Sequence, residues 1–148
     1  MLLLLFQLQE DAYAIDGAKV VEVIPFLTTQ KIPLTPRFIT GMANHRGRPV
    51  PVIDLGLLLN DTPCRQHLST RIILTSISLG HNFHKVVGLL AENVTETVKP
   101  PKNWQFKPGD GGPAFIDQEV TGRPMVRWFN PERMLPEDIP GLSFVEQG

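Results

Sequence analysis

The chain is short of net charge, of aromatic rings and of cysteine. Its 14 Lys and Arg stand against 15 Asp and Glu, a formal net charge of -1 at pH 7, so no strong long-range field draws in nucleic acid or an anionic membrane. Any partner is recognised by shape and local charge. The one cysteine, Cys64, excludes an internal disulfide and suits a reducing compartment. It stands between Pro63 and Arg65 with no base beside it, which reads as a spare thiol rather than a nucleophile. No apolar stretch approaches the roughly 20 residues that cross a bilayer as a helix. The opening Met-Leu-Leu-Leu-Leu-Phe lacks a basic start and a small-residue cleavage site, and Gln7 and Gln9 interrupt it, so it does not read as a signal peptide.

Proline is in excess: 14 in 148 residues, beside 12 glycines, against a typical proline share of about 5%. So much punctuation leaves little room for long helices. A hydrophobic content of 42% excludes disorder, and a chain of this length buries about two-thirds of its unfolded surface without crosslinks or metals.

The apolar runs are short and β-branched. Leu5 to Gln9 alternates, and the acidic pair Glu10 and Asp11 separates it from Tyr13-Ala14-Ile15, in the manner of a hairpin. Val20-Val21-Glu22-Val23-Ile24 is a third strand, stopped by Pro25. Thr35 and Pro36 read as a cap and first helical position, with Gly41 ending a short turn of helix. Val50-Pro51-Val52-Ile53 is a strand that runs into a helical turn with Asp54 near its start. The polar segment 60–69 is the natural break between two halves. Beyond it come strands at 71–77 and 85–90, a continuation at 94–98, and a Pro- and Gly-rich loop at 99–113 carrying Trp104 and Phe106. A second hairpin follows, with Phe115-Ile116 and residues 124–129 flanking Thr121-Gly122-Arg123. Asn130-Pro131-Glu132 then opens a short helix. About ten strands at tight spacing point to an all-β sandwich or small barrels.

Signatures of catalysis are missing: no Gly-rich phosphate loop, paired-cysteine zinc pattern, HExxH or GxSxG occurs. His81 and His84 fall in a hairpin loop without an acid or thiol pair to complete a metal site. Two charged residues are more informative. Period two puts Glu22 on one face with Val20 and Ile24, while Val21 and Val23 take the other, so both faces look at least partly buried. A carboxylate there needs a partner, and Arg46, between Asn44 and Gly47 in outline, is the natural choice. The residues alone favour the plainer reading, with Glu22 on a wet edge strand and Arg46 on a solvated turn.

Residues 39–55, ITGMANHRGRPVPVIDL, resemble the signature of CheW-like domains, and residues 87–94 are similar to the family's Gly-Leu-Leu strand. The resemblance runs over nearly the whole chain. It implies an all-β fold of two small five-stranded SH3-like β-barrels packed side by side, with short helical turns. In one such domain spanning 1–148, the first barrel would take roughly 14–64 and the second roughly 65–130, which the N-terminal strand can join, with a short helix near 131–135. It also implies a non-catalytic cytoplasmic adaptor, without cofactor or metal. Such an adaptor couples the cytoplasmic helical tip of a chemoreceptor (a methyl-accepting protein) to the regulatory domain of a CheA-type histidine kinase, with no nucleic acid and no membrane insertion. Glu22 and Arg46 match the family's paired acid and arginine beside the receptor groove, Asn44 and Gly47 the turn around that arginine, and Gly41 the glycine before it. Val20, Val50 and Val52 are the candidate apolar anchors. The chain departs from the pattern at His45, Pro49 and Glu92, and Pro49, lacking an N–H, should mark an edge or a bulge. Two alternatives stand beside this reading: a CheW-like scaffold of a pathway controlling surface behaviour or second-messenger synthesis, and a small barrel binding single-stranded nucleic acid. For the latter a near-neutral chain with one tyrosine and two tryptophans offers little.

Overall fold

The structure, a computed structural model, describes residues 1–80, 83–105, 114–136 and 139. The described residues are mainly β. Nine strands run in chain order as β1 (Leu3–Leu8), β2 (Asp11–Asp16), β3 (Val20–Pro25), β4 (Ile39–His45), β5 (Arg48–Asp54), β6 (Arg71–Ser78), β7 (His84–Val98), β8 (Phe115–Ile116) and β9 (Val126–Phe129). Three short helices join them, α1 (Leu55–Asn60), α2 (Gln118–Thr121) and α3 (Pro131–Met134).

The strands form two five-stranded arrays that share β7. One runs β3-β6-β7-β5-β4 and the other β7-β1-β2-β9-β8. Residues 84–91 of β7 pair with β6, and residues from Glu92 to Val98 pair with β1. Near the changeover Asn93 takes φ 48 and the β1 ladder shifts register between Leu5 and Gln7, the kind of irregularity that bends a strand from one sheet into the next. Each array has five strands, with β7 counted in both. Pairing sends β6 and half of β7 to the first array and the N-terminal hairpin to the second, because a strand joins the sheet whose edge it reaches, whatever its place in the chain.

The burial of β1 follows from this arrangement. Leu4, Phe6 and Leu8 join Tyr13, Ile53, Leu89 and Phe129 in the larger core, while Leu3 and Leu5 join Ala14, Ile116 and Val126 in a smaller one. A strand with a core on each face reads as a continuous leucine run rather than an alternating one.

Three local expectations change. No helical turn follows Thr35. The Ile39 N–H donates to the Pro36 carbonyl at 3.0 Å, and β4 begins there, with Ile39, Gly41 and Ala43 buried in alternation. Two of those three inward residues are too small to read as an apolar face in the sequence. A helix, α2, interrupts the connection between β8 and β9. The outer face of β3 is open, with Val21 and Val23 exposed, and among the described residues β3 pairs with β6 alone. The two helix starts hold as read: Asp54 accepts from the Leu57 N–H at 3.2 Å, and Asn130 accepts from the Glu132 N–H at 3.2 Å with Pro131 at the first helical position.

Candidate partner-binding site

The site is built at the tip of the β4–β5 hairpin. His45 pairs with Arg48, so Arg46 and Gly47 form a two-residue loop with φ of 53 and 81. Positive φ at both central positions is the turn whose twist matches the flanking strands, and it favours Asn-Gly or Asp-Gly. Gly47 fits without cost, and its N–H donates to Asn44 Oδ1 at 2.9 Å. An arginine in the left-handed region costs about 1–2 kcal/mol. The chain carries that strain where a charged side chain is thrust outward: Arg46 is 78% exposed.

Glu22 on β3 reaches this tip. One oxygen, Oε2, lies 2.7 Å from His45 Nε2, and the other, Oε1, accepts from Arg46 Nη2 at 3.2 Å. The hydrogen bond from His45, assisted by the Arg46 charge, holds the Glu22 carboxyl below its ordinary pKa against the opposing effect of burial. Glu22 is 37% exposed and His45 20%. In the sequence His45 stands out only as a departure from the family pattern. The signal that finds it is the period of β4, which puts it on the inward face with Gly41 and Ala43.

The remaining candidates separate. Val20 is half-buried at the rim of the larger core. Val50 and Val52, expected as apolar anchors, are buried within that core: β5 lies between β4 and β7, and Val52 sits opposite Gly88. Gly41 is architectural. At φ 142, a Cβ added to it would fall 2.2 Å from the Gln30 carbonyl oxygen, because the backbone of Gln30 crosses β4 there and exchanges hydrogen bonds of 2.9 and 2.8 Å with Met42.

Two groups outside the tip are also placed. Arg65, which the sequence does not distinguish from a solvated charge, holds the fully buried Glu92, with Nε 2.8 Å from Oε1 and its backbone N–H 2.9 Å from Oε2. Cys64 is buried, and burial together with the negative Asp54 pushes its thiol pKa far up, the opposite of an activated nucleophile. Trp104 is half-buried against the smaller core; Phe106 and His81 lie outside the described residues. Among the described residues no group of three or more His, Cys, Asp or Glu is placed to hold a metal, and no helix is long and apolar enough to cross a membrane.

These features define a β-sheet domain that carries a charged, surface-directed hairpin tip. Residues 2–138 match the family model of the CheW-like domain, and the chain belongs to that family. It is 30% identical over 95 residues to the chemotaxis protein CheW of Klebsiella aerogenes, covering 64% of this chain and 54% of that one. It is 29% identical over 99 residues to protein FrzA of Myxococcus xanthus, covering 65% and 62%. The chain thus spans little more than half the length of the curated relatives it matches. The crystal structure of the scaffolding protein TtCheW from Thermoanaerobacter tengcongensis is similar with a TM-score of 0.67 at 28% identity, covering 91% of this chain and 87% of that one.

Proposed function

We propose that the chain is a non-catalytic adaptor that couples the cytoplasmic helical tip of a chemoreceptor to the regulatory domain of a CheA-type histidine kinase. The observation that carries this reading is the exposed Arg46, set on a strained two-residue turn and tied to Glu22, in a chain of the CheW-like family. Strain kept at an exposed charged residue is what a binding residue, rather than a packing residue, accounts for. Glu22, Arg46, Asn44 and Gly47 make the contact region, with Val20 at its rim. A helical partner would be read through its side chains and oriented by the charge pair. The adaptor needs no cofactor and acts in the cytoplasm.

The test is calorimetric titration of the full chain with a soluble fragment of the cognate receptor tip and, separately, with the cognate kinase regulatory domain. The native chain is expected to bind, and Arg46→Glu to weaken at least one of the two by tenfold or more. No measurable binding of the native chain to either protein refutes the proposal.

A further inference from the structure

Glu22 divides its two oxygens between two cationic groups of unequal exposure. The shorter contact goes to His45, 20% exposed, and the longer to Arg46, 78% exposed. A guanidinium carries five N–H donors in a planar fork suited to a carboxylate. Glu22 takes a single contact from that fork, so the greater part of it faces outward.

We propose that His45 is a positioning residue for this site: it anchors the Glu22 carboxylate from the sheet side and thereby leaves the Arg46 guanidinium available to a carboxylate on the partner. The identity of the partner rests on the adaptor reading; the division of labour between His45 and Arg46 does not. Without His45, the Glu22 carboxylate has Arg46 as its remaining charged contact and draws the guanidinium inward, in competition with any acidic group outside.

The experiment uses the full chain as native protein, His45→Leu and His45→Gln, with two readouts. The first needs no partner: the Glu22 side-chain carboxyl is titrated by carbon-detected NMR. His45→Leu is expected to raise its pKa toward that of an ordinary carboxylate, with His45→Gln in between because the amide still donates. The second is the affinity for the cognate kinase regulatory domain and receptor tip at one pH. His45→Leu is expected to weaken at least one of the two by about threefold to fivefold, the range set by one partly exposed charge pair, with His45→Gln in between. A Glu22 titration unchanged in His45→Leu, or an affinity unchanged in both variants, overturns the proposal. Binding absent from the native chain overturns the adaptor reading instead, and the Glu22 titration still decides the role of His45.

Discussion

Replacing Gly41 with alanine separates a residue that shapes the fold from one that touches a partner. Gly41 lies at φ 142, a region that L residues occupy at about 1–3 kcal/mol. Its new methyl would fall 2.2 Å from the Gln30 oxygen and 2.6 Å from the Gln30 carbonyl carbon. Both are backbone atoms, so the residue 30 crossing must lift off β4. Lifting it breaks the two hydrogen bonds between Gln30 and Met42, each worth about 1 kcal/mol net. The sum is about 4 kcal/mol, a large part of the 5–15 kcal/mol typical of a domain. Gly47→Ala is the control: it also has positive φ but meets nothing within 4 Å, so it should cost only the backbone term of about 1–2 kcal/mol. Urea unfolding followed by tryptophan fluorescence reads both, and Gly41→Ala should shift the midpoint by about 2 M at an ordinary denaturant slope. A loss below about 1 kcal/mol for Gly41→Ala, or equal losses for the two glycines, refutes the crossing argument.

Three further outcomes follow from the same geometry. Arg46→Asn puts a residue that tolerates left-handed φ into the turn, so urea unfolding should show stability unchanged or raised by up to about 1 kcal/mol, while calorimetry shows weakened partner binding; a parallel loss of both refutes functional strain. Arg65→Ala leaves the buried Glu92 carboxylate without its guanidinium. The urea midpoint should fall, because a buried carboxylate that loses its cation is left uncompensated; a midpoint equal to that of the native chain refutes this. Cys64, buried and with its thiol pKa pushed up, should resist a disulfide-exchange reagent at pH 8 in the folded chain and react fully in urea. Rapid labelling of folded protein would contradict its burial.

Much of the fold was legible because it rests on local chemistry. The strand runs, the Asp54 and Asn130 helix starts and the hairpin of β6 with β7 are written in β-branched residues, caps and turn residues over a few positions. What was not legible depends on distant pairing. The strand β4 hides because Gly41 and Ala43 carry its inward face, and only the crossing of Gln30 explains why Gly41 must be small. Glu22 and Arg46 were brought together by family pattern rather than by spacing. His45 escaped because the period of β4 that would place it inward is masked by Gly41 and Ala43, and its contact with Glu22 spans 23 positions across two strands. Arg65 escaped for the same reason: its partner Glu92 sits on another strand, and nothing beside Arg65 in the chain distinguishes it from a solvated charge.

The proline surplus bears on the edge of the hairpin and, on the adaptor reading proposed above, on how a partner would meet it. Met42 spends its N–H and carbonyl on Gln30, so its pairing with Pro51 is one of the positions in an antiparallel ladder that exchange no hydrogen bonds. Alternation puts Asn44 and Pro49 in the same class. Both prolines therefore sit where the missing N–H points away from β4. On that side β7 pairs with Val52, Ile53 and Asp54, and among the described residues no strand pairs with 48–51, of which Arg48 and Pro49 are exposed and Val50 and Pro51 buried. Proline is tolerated at such an edge and blunts it, since an added strand would find no donor at positions 49 or 51. A partner reaching this hairpin cannot be held by extending the sheet along β5. It must be read by side chains, and those at the tip are Arg46 and the Glu22 and His45 groups behind it.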